Sequence, residues 1–208
     1  MIKKEGNGKF ILENGVYYIG QFKNGLRSGK GKEFFKNGNV MYEGDFFNNK
    51  REGLGKSFFE TGGYYIGQWK DDLRNGKGKE YFKNGNIKYE GDFVNDKKEG
   101  TGKNVFENGE YCIGQWKDNL KSGKGKHYDQ NGNIMYEGDF VNGKYEGNGK
   151  FYFDTGIYYI GEWKNNIMHG KGKLYDKEGQ IMEEGIWNNG EYQFNDWYNY
   201  QLIKRLYY

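Results

Sequence analysis

Tyr65-Ile66-Gly67-Gln68-Trp69, followed by Gly76-Lys77-Gly78-Lys79, is the stretch whose reading decides the fold. The first block returns as Tyr18-Ile19-Gly20-Gln21-Phe22, Cys112-Ile113-Gly114-Gln115-Trp116 and Tyr159-Ile160-Gly161-Glu162-Trp163, at steps of 47 residues. A second version, Tyr42-Glu43-Gly44-Asp45-Phe46, is interleaved with it. It recurs at Tyr89-Glu90-Gly91-Asp92-Phe93 and Tyr136-Glu137-Gly138-Asp139-Phe140, and in worn form at Glu183-Glu184-Gly185-Ile186-Trp187. Each of the seven intact starts is followed by Gly-x-Gly-Lys, and a half-copy, Gly6-Asn7-Gly8-Lys9, stands in front. Self-similarity at a fixed step of 23 or 24 residues marks a repeat array, in which each copy buries its apolar face against its neighbours.

The blocks alternate with period two, as half-buried strands do. Asn37-Gly38, Asn84-Gly85 and Asn131-Gly132 supply the hairpin signal between them. Taking Asn84-Gly85 as a two-residue turn sets Lys79 opposite Glu90, Lys77 opposite Asp92 and Gly78 opposite Gly91. The same rule pairs Lys32 with Glu43, Lys30 with Asp45, Lys126 with Glu137 and Lys124 with Asp139. Opposite charges therefore meet at all three turns, which fixes the register. The other junctions, Glu60-Thr61-Gly62, Glu107-Asn108-Gly109 and Asp154-Thr155-Gly156, are one residue shorter and suit three-residue loops with a left-handed Gly. On this reading the alternation of 23 and 24 is an alternation of loop type.

The pattern Tyr-x-Gly-x-Trp/Phe with a later Gly-x-Gly closely resembles that of the MORN-repeat proteins, over about residues 5 to 190. The resemblance implies an all-β fold, an elongated single-layer antiparallel sheet of tandem hairpins in a 47-residue double repeat. It also implies a non-enzymatic role in scaffolding, membrane apposition or cytoskeletal assembly. Two positions depart from the pattern: Cys112 stands where the leading Tyr belongs, and Glu183 replaces it in the last copy.

Composition agrees with such an array. The chain has 208 residues, 36 Gly, no Pro, one Cys, and 40 aromatics as 20 Tyr, 15 Phe and 5 Trp. Buried area must therefore come from large flat rings, which can lie over strand glycines and offset their entropic cost. About sixteen strands at ~4.8 Å spacing would extend roughly 75 Å. Residues 1–190 read as the array. Residues 191–208 read as a short C-terminal helical cap or docking element, with Trp197, Leu202 and Leu206 on its apolar stripe. No apolar run is long enough to span a bilayer and the N-terminus lacks a signal-peptide core, so a cytoplasmic location is expected, at the cytoskeleton, a cilium or a membrane periphery.

Chemistry is sparse in this pattern. His127 and His169 are substitutions within the repeat, and neither they nor Cys112 form a nucleophile–base pair. The acids match no zinc or calcium spacing. Gly55-Lys56-Ser57 lacks the preceding Gly of a phosphate loop. No catalytic residue, cofactor or metal is expected. With a net charge of +3, nucleic acid is not an expected partner either. Two functional classes survive. The first is a scaffold or adaptor holding protein partners in a larger assembly, with Tyr65, Trp69, Tyr89, Phe93, Trp116, Tyr136 and Trp163 of an aromatic trough and the tail residues as candidate contacts. The second is a peripheral module on acidic phospholipid, using Lys50, Arg51, Lys97 and Lys98 near the turns.

Overall fold

A computed structural model describes residues 4–12 and 14–193. Seventeen strands follow one another: Gly6–Ile11 (β1), Tyr17–Lys23 (β2), Leu26–Phe34 (β3), Val40–Phe47 (β4), Lys50–Phe58 (β5), Tyr64–Lys70 (β6), Leu73–Tyr81 (β7), Ile87–Val94 (β8) and Lys97–Val105 (β9). The series continues with Tyr111–Lys117 (β10), Leu120–Tyr128 (β11), Ile134–Val141 (β12), Lys144–Tyr152 (β13), Tyr158–Lys164 (β14), Ile167–Tyr175 (β15), Ile181–Asn188 (β16) and Glu191–Gln193 (β17). They form one antiparallel sheet in chain order, with no helix among the described residues. The helix expected in the tail, with Trp197, Leu202 and Leu206, lies outside the described residues. Its first three residues, 191–193, form β17 against β16, so the sheet runs past the boundary expected at Gly190.

By packing, the chain divides into two compact units. Of the described residues, those up to Phe106 with Trp116–Asn119 make the first, and Glu107–Gln115 with those from Leu120 onward the second.

The expected register is present. Gly31 faces Gly44, Gly78 faces Gly91 and Gly125 faces Gly138. The paired charges meet as salt bridges, Lys79 to Glu90 at 2.9 Å, Lys77 to Asp92 at 2.6 Å and Lys126 to Glu137 at 3.1 Å.

The turns differ from expectation. At Asn84-Gly85, Phe82 N–H donates to Asn86 O and Gly85 N–H donates to Phe82 O, which makes a three-residue loop. Only Gly85 is left-handed there (φ 85°), while the Asn84 side chain accepts from Asn86 N–H at 3.0 Å. That side-chain bond holds Asn84 in a right-handed turn and denies it the left-handed position a two-residue turn would need. Glu60-Thr61-Gly62 closes with the same two backbone bonds. Loop type therefore does not alternate. The extra residue sits instead in a bulge of the strand that follows the turn, at Met41, Lys88, Met135 and Met182, opposite the steps Glu33–Phe34, Glu80–Tyr81, His127–Tyr128 and Leu174–Tyr175. Because the bulge takes up the residue that the longer loop adds, the charge pairing comes out as expected.

The two-residue turns lie at the other ends of the strands. Asn24-Gly25, Asn48-Asn49, Asp71-Asp72, Asn95-Asp96, Asn142-Gly143 and Asn165-Asn166 are left-handed at both positions, with φ between 48° and 82°. Asn and Asp tolerate that region better than other side chains do. Their side chains also stitch one turn to the next: Asn49, Asp72 and Asp96 accept from the backbone N–H of Arg27, Arg51 and Arg74 at 2.8–2.9 Å.

Candidate binding surfaces

The motif tyrosines build the core. Tyr18, Tyr42, Tyr65, Tyr89, Tyr136 and Tyr159 are fully buried. Each ring lies over two facing glycines, so that a Cβ on Gly31 or Gly78 would come within 2.5 Å of the phenol. Each hydroxyl donates to the carbonyl three residues on, as Tyr18 does to Gln21 at 2.9 Å and Tyr136 to Asp139 at 3.0 Å. Burial without loss of the hydrogen bond is what makes the seat favourable for a phenol, and it pushes Tyr65 up to about 12.

Phe22, Phe46, Trp69 and Phe93 in the first unit, and Phe140, Trp163 and Trp187 in the second, stand edge-on between these rings at centroid distances of 4.9–5.5 Å. The indole N–H of Trp69, Trp116 and Trp163 donates to Gly55, Gly102 and Gly149 carbonyls at 3.0–3.3 Å. The supposed aromatic trough is thus closed. Of the candidate contacts, Tyr65, Trp69, Tyr89, Phe93, Trp116, Tyr136 and Trp163 are all buried, none more than 7% exposed. They hold the array together. A single sheet can bury its rings because the residue nine positions after each motif Tyr folds back over the ring.

In the first unit that covering residue is Arg27, Arg51, Arg74 or Lys98. Each cation lies over two rings, for example Arg51 over Tyr42 at 4.8 Å and Trp69 at 5.4 Å. In the second unit the series continues as Lys121, Tyr145, Met168 and Tyr192. Tyr145 stacks on Tyr136 at 3.8 Å.

Both departures from the motif are repaired by this covering row. At Cys112 there is no phenol to fill the space over Gly114 and Gly125, and Lys121 enters it. Its ammonium donates to Gln115 O at 3.3 Å and Lys124 O at 3.2 Å, the first being the carbonyl a tyrosine would have used. At Glu183 the replacement is Tyr192, whose ring covers Gly185 and whose hydroxyl donates to Glu184 O at 3.0 Å.

Lys121 is buried, and burial lowers its pKa to about 8. The Cys112 thiol beside it is pushed up to about 12 by burial, despite the opposing pull of Lys121. A thiol so held is protonated and a poor nucleophile. His127 contacts Tyr145 Oη at 2.6 Å through Nδ1 and Glu110 at 3.2 Å through Nε2, and burial lowers its pKa although Glu110 works the other way.

The basic candidates at the turns are engaged. Lys50 pairs with Asp71 at 2.7 Å, Arg51 with Glu33 at 2.6 Å and Lys97 with Asp118 at 2.6 Å. Lys98 bonds Asn104 at 2.6 Å over the Tyr89 ring, and burial lowers its pKa to about 8.

What stays open is the opposite face. There the glycines present bare backbone as the floor of a groove. In the first unit Gly20, Gly31, Gly44, Gly55 and Gly67 form the floor of a cavity of about 700 Å³, bounded by Ile19, Leu54, Ile66 and Phe34. Ile19, Leu54 and Ile66 are 44%, 62% and 42% exposed. The bordering charges are paired, Lys30 with Asp45 at 2.6 Å and Lys32 with Glu43 at 3.0 Å. A sequence reading missed this face because the same glycines were assigned only to the rings above them. The signal was the lone Ile between Tyr and Gly in every second copy.

The polar residue after the central Gly also has a fixed task. Gln21, Asp45 and Gln68 accept from the backbone N–H of Lys30, Leu54 and Lys77 at 2.8–3.2 Å, capping the strand bulge that opens at Gly29, Gly53 and Gly76.

Family comparison adds a decisive observation to this geometry. The MORN repeat model matches seven consecutive segments, residues 18–40, 42–64, 65–87, 89–111, 112–134, 136–158 and 159–181. The chain belongs to the MORN-repeat family. No curated protein matches this MORN chain. Among solved structures, a mutant TCP10 domain of Danio rerio CPAP is similar at 13% identity, over 88% of this chain and 90% of that one, with a TM-score of 0.36. The wild-type TCP10 domain of Danio rerio CPAP, in complex with a peptide of Danio rerio STIL, is 13% identical over 88% and 100%, with a TM-score of 0.21. A protein of unknown function from Bacteroides caccae is 10% identical over 87% and 81%, also at 0.21. Likenesses this loose say nothing about the partners of the MORN chain.

Proposed function

We propose that this MORN-repeat chain is a non-catalytic cytoplasmic scaffold that holds extended, uncharged segments of partner proteins within a larger assembly. One observation carries the reading: the aromatic face is closed over by the protein's own side chains, whereas the glycine-floored face leaves Ile19, Leu54 and Ile66 open in a groove. Apolar surface gathered in a groove favours a partner.

The groove's dimensions choose the partner. Its borders, Lys30 with Asp45 and Lys32 with Glu43, stand two residues apart along the strands, roughly 7 Å. An α-helix with side chains needs roughly 10 to 12 Å, so it does not fit between them. One extended chain does. From Ile19 on β2 to Ile66 on β6 is four strand spacings, roughly 19 Å, the span of about six extended residues. Since the bordering charges already satisfy one another, the groove favours a neutral segment.

Panning a displayed library of random octapeptides tests this. Apolar, uncharged sequences should be enriched on the wild-type protein and lost on a variant carrying Ile66→Asp and Ile160→Asp. An empty selection, or enrichment of acidic sequences, would refute it. The second reading, binding to acidic phospholipid, requires Lys50, Arg51, Lys97 and Lys98 to leave their present partners. Sedimentation with acidic vesicles at about 0.15 M salt, where the Debye length is about 8 Å, separates the two. Pelleting that is lost on Lys97→Glu with Lys50→Glu would favour the membrane.

A further inference from the structure

We infer that the chain is at least bivalent, with a groove of about 700 to 710 Å³ in each compact unit and a smaller one of about 480 Å³ that shares Ile160 in the second, and that the two larger grooves prefer different residues at one position of the bound segment; this rests on the groove reading above. In the second unit a cavity of about 710 Å³ is lined by Ile113, Gly114, Lys124, Gly125, Lys126, Tyr128, Glu137, Gly138, Asn148, Gly149, Ile160 and Gly161. Every one of these stands 94 residues after a lining residue of the first cavity, two double repeats on. The flanking charges are paired in the same way, Lys124 with Asp139 at 2.7 Å and Lys126 with Glu137 at 3.1 Å.

Ten of the twelve lining residues are identical between the two grooves. The exceptions are Phe34, which becomes Tyr128, and Leu54, which becomes Asn148. The first pair preserves an aromatic stack, Phe34 on Tyr17 at 4.6 Å and Tyr128 on Tyr111 at 4.5 Å. The second pair changes the chemistry of the wall. Leu54 offers apolar surface to the bound segment. Asn148 offers a carboxamide, which loses affinity against an apolar residue left in front of it and gains against a hydroxyl or amide. The occupant is the same for both grooves, an extended neutral segment. A partner that carries two such segments, or two copies of a partner, would engage one chain, and linkage of the two segments would multiply the affinity.

The probe is the octapeptide most enriched by the wild-type protein in the panning described above, measured by isothermal titration calorimetry. At least two equivalents per chain are expected, with affinities of the two larger grooves about tenfold apart for a peptide bearing an aliphatic residue opposite Leu54. Leu54→Asp should abolish one binding event and leave the other, and Asn148→Leu should bring the weaker site to within about twofold of the stronger. Both positions are at the surface of a groove, and circular dichroism checks that each variant keeps its β signal. A selection that enriches nothing defeats the groove reading itself. A peptide that binds once per chain, or more than once but indifferent to Leu54→Asp, leaves the groove reading standing and overturns the inference.

Discussion

The first and second units carry the same ladder of rings over glycines, yet cover it with different chemistry, cations throughout in the first and, after Lys121, phenols and a thioether in the second. In the first, Arg27, Arg51, Arg74 and Lys98 lie over the rings, Arg27 and Arg51 being met by Glu33, Arg74 by Glu80 and Lys98 by Asn104, of which Glu33 and Asn104 are buried. In the second, Tyr145, Met168 and Tyr192 pack with Phe151, Phe153 and Leu174 around the buried cluster of Tyr136, Phe140, Tyr159, Trp163 and Trp187. The covering row needs length and a flat or polarizable surface more than it needs charge. Guanidinium, ammonium, phenol and thioether all serve, because each can lie against a ring and keep water off the glycine backbone.

The comparison can be broken most forcefully at the ladder itself. Trp69→Ala in the first unit and Trp163→Ala in the second should each cost about 3 to 5 kcal/mol, read from the denaturant midpoint. Equal losses would show that the rings are the common framework. An unaffected midpoint for either would show its ring to be dispensable.

Next in size is the charge layer. Glu33 lies between Arg27 and Arg51, and Glu33→Gln leaves two guanidinium groups over the rings without their carboxylate. A loss of about 3 kcal/mol is expected, against less than about 1.5 kcal/mol for Phe151→Leu at the corresponding place in the second unit. Similar losses at the two sites would contradict a chemical division between the units.

Lys121 sharpens the contrast through pH. Its folded pKa of about 8 lies below the ordinary lysine value, so between about pH 8 and 10.5 the unfolded chain binds more protons. Stability from this group is present above that window and is lost as pH falls through about 8. The gain on raising the pH is up to about 3 kcal/mol. Cys112 opposes it above about pH 9, where the unfolded thiol ionises and the folded one, at about 12, does not. Lys98 is lowered to about 8 in the same way, so measuring unfolding from pH 7 to 10.5 in a Cys112→Ala and Lys98→Met background isolates Lys121. The rise should vanish when Lys121→Met is added, and a slope that survives would assign it elsewhere.

The smallest effect belongs to the exposed bridges. Lys79→Gln, which removes the pair with Glu90, should leave the melting temperature within error, as solvent screens that pair. A fall of several degrees would give these bridges a structural weight the geometry does not suggest.

Much of this molecule was legible in its sequence. The 47-residue double step, the strand period, the facing glycines and the Lys–acid register follow from local patterning, since a strand's side chains alternate strictly and opposite charges mark their partners. The turns were legible only in part, because Asn-Gly permits a two-residue turn without requiring one. At Asn84 the side-chain bond to Asn86 and the bulge at Lys88, opposite Glu80 and Tyr81, decided between closures. The tertiary structure alone decided which face is hidden. A motif Tyr and its covering residue are nine positions apart, and they meet because the two-residue turn between them sets Arg27 opposite Phe22 and Arg74 opposite Trp69, on the face of the motif Tyr. For the same reason the sequence could show that Cys112 and Glu183 break the pattern, but not that Lys121 and Tyr192 fill the places they leave. That follows from the shape of the seat over paired glycines, which accepts a long side chain that can cover them and bond a nearby carbonyl, Gln115 O for Lys121 and Glu184 O for Tyr192.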